Sequence, residues 1–562
     1  MARVGVPDHR FHGWLTESSQ FLTDWQERNQ LNFEYYDGTQ WTEEETKIIE
    51  ERGQQASVLN AIRPTVDMII ALEAQRRTDI QVIGREESDD QMADLMTKLM
   101  KQVYDQNDYN FRQGKIFREG VVGGAGWLQI SVQEDESEQN QIVCRRVPWE
   151  EVYWDPFMRE PDGSDARYII RRVWIDRDRA SELWGKEKID GLVDHAEDTE
   201  IDSDYEGQED EAQDNADTFR FNQKDRDTRS RRIAVNETWY KDAKGRVRYC
   251  QWSGKVYLKG SDNDEDNPSP YRMNMYPLIP FFASINNVGK PQGVVDWCRP
   301  MQDSLNKNFS KWQWTVAARQ AMYEVGAVED PEELRAQIAK PDGVIPIESG
   351  FWGKVQALDA ANKNESVHLM QMMSFLLQMI QRVSGVNDAL LGLGGVNARS
   401  AEQENNRSLS GAQMQTSFLE NLFFSKKRSA EVILQLMGEF YTDRRVIRIT
   451  APNGTVERMA VNNEGLDEFN EPIIENQVIM ENVMRYDVKV EQVPAFSSTK
   501  QLMLRYITDM SQTGALPAPI ASKMFLVLSD MPDKAELIQE VEQYFQEQAQ
   551  LQQQEAAAAG PA

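Results

Sequence analysis

GKPQGVVDWCRPMQDSLNKNFSKWQWTV, residues 289–316, is the stretch around which the rest of the chain is organised. After Pro291, Gln292 and Gly293 its apolar residues Met301, Leu305, Phe309, Trp312 and Val316 recur at steps of four or three, which predicts a helix with one sticky face. Asp303, Asn306, Lys307, Ser310 and Lys311 fall between them and predict a second face turned to water or to a polar lumen. Gly326, Pro331, Pro341, Gly343, Pro346 and Gly350 then interrupt the helical pattern, so Val325 to Asp359 is expected to be a small excursion. A second helix is predicted from about Asn364 to Val383, apolar almost all round, with Met370, Met372, Met373 and Met379 among its residues. It needs cover on nearly every side, from the core of its own subunit or from neighbouring subunits. Its apolar part is short for the roughly 20 residues of a bilayer span, and His368, Gln371, Ser374 and Gln378 interrupt it, so no membrane span is expected.

Beyond this hairpin, Gly385 to Arg399 with Gly392, Gly394 and Gly395 reads as a loop. A third helix then places Phe418, Leu422, Ser425, Ser429, Ile433, Leu436 and Phe440 on one face, its small Ser residues permitting close approach. The adjoining Lys426, Lys427 and Arg428 read as a solvated or ion-paired face.

With 562 residues, 40% of them hydrophobic, the chain can bury a large core and has length for several domains. Lys and Arg total 62 against 92 Asp and Glu, a formal net charge of -30, which disfavours nucleic-acid binding by a broad basic face. An acidic wall instead lets DNA pass without sticking, because phosphate contacts are what hold DNA in place. Cys144, Cys250 and Cys298 show no CxxC spacing, so neither a disulfide framework nor a Cys-type zinc site is expected. No cationic and apolar signal segment opens the chain, which predicts synthesis and use in cytoplasm.

Two helical signals between Thr16 and Ala74 are expected to flank an aromatic cluster of Phe33, Tyr35, Tyr36 and Trp41. Ile62, Val66, Ile69, Ile70 and Leu72 follow Asn60 at helical spacing, with Pro64 in the first turn, and a strand-like Ile80 to Ile83 comes after. Ser88 to Asp105 reads as another helix. Gly120, Gly123, Gly124 and Gly126 then crowd before a strand, an order of helix, glycines, strand that is the reverse of a phosphate loop. Trp127 to Val132 and Ile142 to Val147 predict a hairpin, Pro148 to Pro156 an ordered corner, Arg167 to Ile175 a strand, and Asp176 the start of a short helix to about Trp184. Glu150, Glu151 and Asp155 lack the fixed spacing of an acid and base pair around a bond to be cleaved.

Asp194 to Asp217 contains no Lys or Arg and predicts a solvated insertion over about 194–230, without the register of a calcium loop. Ile233 to Tyr240 and Val247 to Tyr257 read as strands, and Val446 to Thr450, Val456 to Val461 and Val478 to Val490 as strands returning to the earlier sheet. Helices are expected over Lys500 to Met510, Ala521 to Ser529 and Lys534 to Phe545, before a Gln and Ala rich tail.

No GxxxxGK[ST], HExxH or GxSxG motif occurs, and the four histidines are His9, His12, His195 and His368. No catalytic residue, metal ligand or cofactor is expected. The pattern is that of a protein that assembles.

Four stretches, in order, are similar to bacteriophage portal proteins of short-tailed phages of the Salmonella-phage type. They are Ile62 to Val82 with its Asn60 and Arg63-Pro64 start, the corner from Pro148 through Val152, Tyr153, Trp154, Asp155 and Pro156 with Asp165-Ala166-Arg167 after it, Gly289, Pro291 and Gly293 leading to Gln302 and Asn306, and Val383-Ser384-Gly385-Val386 with the long helix beyond Ser410-Gly411. Together they span about residues 30 to 500.

The resemblance implies an α+β portal fold: a mixed wing over 1–288, a stem helix over 289–325, a small α/β clip over 326–360, and a return stem helix over 361–384. A channel loop over 385–408, a long helix over 409–441, a wing β return over 442–496 and a helical crown with its tail over 497–562 complete it. Some relatives extend a long helical barrel there; this chain stops soon after Phe545, so any barrel is expected to be short or absent.

The resemblance further implies a ring of twelve subunits at one capsid vertex of the virion, assembled in host cytoplasm, that passes double-stranded DNA in packaging and ejection. Implied partners are the large terminase subunit, a head-completion or tail adaptor protein, and coat and scaffolding proteins, with no membrane. On this footing Arg399, Arg407, Lys307 and Lys311 are candidates for the DNA channel. Glu329, Asp330, Glu332, Glu333, Arg335 and Lys340 are candidates for the motor-facing clip, and Trp312, Met372, Met373 and Phe375 for the subunit interface. The rival readings are a head-to-tail adaptor ring and a nuclease using clustered carboxylates for metals.

Overall fold

The computed structural model describes residues 9–75, 78–84, 90–134, 139–189, 232–260, 269–317, 321–338, 344–357, 359–386, 416–442, 445–450, 456–466, 472–475, 486–492, 506–508, 510–511, 517–528 and 541. The expected acidic insertion, most of the loop after Gly385 and the Gln and Ala rich tail lie outside them.

Three helices open the chain: α1 (His9–Asp37), α2 (Glu43–Glu51) and α3 (Ile62–Gln75). Phe33, Tyr35 and Tyr36 lie inside the last turns of α1, not between two helices as expected. Nothing in the sequence stops that helix before Gly38, which takes φ 103° and donates its N–H to Glu34. Thr42 and Glu45 form a reciprocal capping box on α2. Asn60 caps α3, accepting the N–H groups of Ile62 and Arg63 at 3.1 Å, and donates back to the Tyr36 carbonyl at 3.1 Å, so one amide ties the end of α1 to the start of α3.

Strand β1 (Thr78–Gly84) leads to α4 (Asp90–Gln106) and then to α5 (Tyr109–Gly123), a helix that the glycine cluster hid from view. The glycines serve close packing. A Cβ on Gly120 would lie 2.3 Å from the Phe281 ring, and one on Gly123 would lie 1.5 Å from Asn29 Oδ1.

The predicted hairpin forms as β2 (Ala125–Glu134) and β3 (Asn140–Val147), with Trp127 opposite Val147. Strands β4 (Val152–Trp154) and β5 (Tyr168–Asp176), helix α6 (Arg177–Trp184), and strands β6 (Arg232–Lys241), β7 (Val247–Ser253) and β8 (Val256–Gly260) follow. The strands form an antiparallel five-stranded sheet in chain order. β9 (Leu278–Phe282), apolar throughout and buried, pairs with the free side of β2 to complete a three-stranded sheet β3-β2-β9. Trp25 of α1 packs with Trp154 at 5.3 Å between ring centroids, and Trp127 packs with Trp154 at 5.3 Å, so tryptophans weld helix and sheets into one core.

The short pair β10 (Ser284–Ile285) and β11 (Pro291–Gln292) delivers the chain to α7 (Val294–Ala317). Next come β12 (Ala321–Tyr323), α8 (Pro331–Ile338), β13 (Val355–Ala357) and α9 (Asp359–Ser384). Lys311, late in α7, meets Glu365, early in α9, at 2.8 Å, so the two helices run antiparallel. The excursion between them is a small α/β unit: β12 pairs with β13, and Ala327, Val328 and Leu334 form its own core.

Helix α10 (Thr416–Phe440) lies along the edge of β9. Asn421 donates to the carbonyls of Phe282 and Ala283, and Ser425 to that of Pro280 at 2.9 Å, while Ser429 bonds the Tyr109 hydroxyl at 2.5 Å. The small serines predicted for close approach thus sit at the contact. Two separate hairpins follow, β14 (Arg445–Thr450) with β15 (Val456–Val461), and β16 (Asn463–Leu466) with β17 (Pro472–Glu475). Strand β18 (Tyr486–Gln492) returns to pair antiparallel with β1, Val82 opposite Val488, and α11 (Ala518–Leu528) comes last. Among the described residues the expected return is therefore to β1, in a two-stranded sheet apart from β3-β2-β9. The nearer edge, β9, is already occupied by α10.

Candidate functional site

The antiparallel α7–α9 hairpin carries Lys307, Lys311, Trp312, Met372, Met373 and Phe375, and its foundation is built by the segment before it. A Cβ on Gly293 would come 2.2 Å from the Val122 carbonyl oxygen, and one on Gly124 would come 2.4 Å from the Gln292 nitrogen, so the chain entering α7 lies flat against the end of α5. Asp296 in the first turn accepts from Gly293 N at 2.9 Å and from Asn32 at 2.9 Å, and pairs with Arg28 at 3.1 Å. A carboxylate suits that positive helix end.

Gln302, Asn306 and Ser310 then recur every fourth residue and are almost wholly buried. They face an extended segment of the chain. Gln302 accepts from Ala61 N at 3.1 Å and donates to the Leu59 carbonyl at 2.8 Å; Asn306 accepts from Leu59 N at 3.0 Å; Ser310 accepts from Ser57 N at 3.1 Å. Four helical residues rise about 6 Å and two extended residues about 6.6 Å, so one helix face can satisfy every second backbone group of an extended strand. The expectation that Asn306 and Ser310 face water or a lumen is thereby corrected: residues 57–61 cover them, because buried backbone N–H groups must find acceptors.

The two lysines of the same helix stay half-exposed. Lys307 stands 3.9 Å from Glu45 and Lys311 2.8 Å from Glu365, each beside a carboxylate of its own subunit. Asp303 accepts the Tyr35 hydroxyl.

Along α9, Met373, Leu376 and Ile380 are buried in the main core, where Trp312 is partly buried and stacked on Phe309. The opposite side is uncovered: Val367 is 51%, Met370 53%, Met372 50% and Phe375 52% exposed. The second helix is expected to need cover nearly all round; among the described residues it receives cover on the face of Met373, Leu376 and Ile380.

At the far end of the hairpin, Glu329, Asp330, Glu332, Glu333 and Arg335 are all exposed around the single buried Leu334 of α8. Val325, Val344 and Trp352 are exposed beside them, at 97%, 76% and 90%. Lys340, Arg399 and Arg407 lie outside the described residues.

Residues 12–562 match the family described as "Phage P22-like portal protein". The chain belongs to the P22-like portal family. It is also similar to the portal protein of Helicobacter pylori bacteriophage KHP30, 21% identical over 446 residues that cover 78% of this chain and 68% of that one.

The acidic corner of this portal-family chain is a latch. Asp155, 1% exposed, receives Arg167 Nε and Nη2 at 2.7 Å each, and the backbone N–H groups of Arg167 and Phe157 at 3.0 Å. Burial by itself would raise the Asp155 carboxyl, but the paired guanidinium and N–H donors more than offset it and hold its pKa below the ordinary carboxylate value. Glu151 is taken by Arg171 at 2.8 Å.

A different carboxyl, Glu119 on α5, escaped the sequence reading because the helix carrying it did. It is paired with Arg146, its second oxygen is buried without a hydrogen-bond partner, and burial pushes it up to about 8 against the pull of Arg146. No helix among the described residues is long and apolar enough to cross a membrane.

Proposed function

We infer that this chain, a member of the phage portal family, serves as a structural component of the virion. We propose that it works as one subunit of a closed ring, twelve by family resemblance, set at a single capsid vertex and assembled in host cytoplasm. Double-stranded DNA passes through its centre in packaging and ejection. The α7–α9 hairpin is then the stem, the small α/β unit between them the clip, and residues 442–496 the return to the wing. Glu329, Asp330, Glu332, Glu333, Arg335 and Lys340 face the large terminase subunit and afterwards a head-completion or tail adaptor protein. Coat and scaffolding proteins surround the wing. Arg399 and Arg407 meet DNA from the loop over 385–408, with Lys307 and Lys311 on the stem.

The observation that supports ring formation is the uncovered side of α9. Met372 and Phe375 are half-exposed large apolar residues on a helix whose other face is already buried, and such surface favours a partner over water. A neighbouring subunit supplies that partner. Electron microscopy of the purified protein should show closed rings, and Met372→Glu combined with Phe375→Glu should leave monomers. Intact rings in the double variant would place the subunit contact elsewhere, and a wild-type protein that stays monomeric would overturn the ring.

A further inference from the structure

Several arginines of the described residues are matched to acids: Arg28 to Asp296, Arg167 to Asp155, Arg171 to Glu151, Arg428 to Asp162 and Glu431. The cations of α3 and α5 are arranged differently, over aromatic rings. Phe111, Lys115 and Arg118 form a stripe along α5 at steps of four and three, all exposed, with Phe111 at 65%. Lys115 Nζ stands 4.4 Å over the Phe111 ring. Arg118 lies over the ring of Tyr36 at 4.8 Å, and Arg63 of α3 comes to the same ring at 5.6 Å, so two helices bring three cations to one surface.

Neither Lys115 nor Arg118 makes an ion pair among the described residues. The acid beside Arg63, Asp67, is 3.9 Å away and already accepts the Tyr36 hydroxyl at 2.6 Å. Asp108 stands at the N-terminal end of α5, two turns from Lys115, and its side chain makes no cap hydrogen bond. Like charges three residues apart on a helix repel, which disfavours Lys115 and Arg118 together unless an anion meets them. In a chain with 92 acids against 62 bases, partners for them were abundant.

We propose that Arg63, Lys115 and Arg118 form a contact for the phosphate backbone of double-stranded DNA. This rests on the proposed DNA-passing role and adds to it a site on α3 and α5, apart from the loop over 385–408. A guanidinium stacked on an aromatic face keeps its in-plane N–H donors free for a phosphate, and a lysine ammonium over a ring keeps the donor turned away from it. Contacts of this kind carry no sequence information, which suits a polymer of any sequence that must move past. Being few and set in an acidic protein, they hold DNA weakly and release it as salt rises.

Three phosphate contacts give a log–log salt slope of about −2.7, or a roughly 40-fold loss of affinity between about 50 and about 200 mM salt. The test is fluorescence anisotropy of a labelled duplex titrated with full-length rings across that salt range. Lys115→Gln with Arg118→Gln should flatten the slope by about 1.8 and weaken low-salt binding about tenfold or more, and Lys115→Arg with Arg118→Lys should retain both. Rings that bind the duplex equally with and without these cations, or that bind polyglutamate through them and not DNA, overturn this inference and leave the ring intact. Failure to form rings in the microscope overturns the proposed function itself, by a separate measurement.

Discussion

The side chain of Asn306 accepts the backbone N–H of Leu59 at 3.0 Å, across 247 residues of sequence, while its amide donates to Gln40 at 2.6 Å. Asn306→Ala removes both bonds and a third, from Gln302 Nε2 to Asn306 Oδ1 at 3.0 Å, and leaves a Leu59 N–H with no acceptor, a loss of about 2–3 kcal/mol. Hydrogen exchange should register it locally: the amides of residues 57–61 should exchange faster in the variant while those of β2 and β3 do not change. Uniform protection across both segments would mean that the ladder on α7 does not hold residues 57–61 in place.

Asp155 and Arg167 make a stability contribution with a definite sign in pH. The Asp155 carboxyl has a pKa below its ordinary value in the fold, so its contribution is whole above about pH 4 and is lost as pH falls through the lowered pKa. Asp155→Asn should cost about 2 kcal/mol near neutrality, less than a fully buried pair because Arg167 is half-exposed. The gap between variant and wild type, followed by denaturant unfolding, should narrow as the solution is acidified below about pH 4. A gap that stays constant would remove the charge from the explanation.

Glu119 has the opposite sign. Its pKa is raised to about 8, so the contribution of the protonated form is complete below the ordinary carboxylate value and is lost as pH rises to about 8. Glu119→Gln keeps a polar amide beside Arg146 and removes the proton. Its melting temperature relative to wild type should therefore be higher at pH 9 than at pH 6, with the change concentrated below about pH 8. Parallel wild-type and variant melting curves across that range would show that Glu119 is already ionised in the fold.

Much of the local architecture was legible from residue order. The β2–β3 hairpin, the short helix after Asp176, the strands around Trp239 and Trp252, and both arms of the α7–α9 hairpin follow from periodicities that neighbouring residues set among themselves. Helix α5 was not legible. Its glycines look like a loop until Phe281 and Asn29 are placed against them, and those residues come from β9 and α1.

By itself the sequence determined which residues share a face: Met301, Leu305 and Phe309 on one side of α7, with Asp303, Asn306, Lys307, Ser310 and Lys311 falling between them. It also determined the acidic balance and the portal-like motif order. Only the tertiary structure decided what each face meets. The polar face of α7 is buried because residues 57–61 bring backbone N–H and C=O groups that need partners, while part of the apolar side of α9 is left in solvent because no element among the described residues reaches it. Periodicity is local, whereas the unpaired groups that select a partner for each face lie hundreds of residues away.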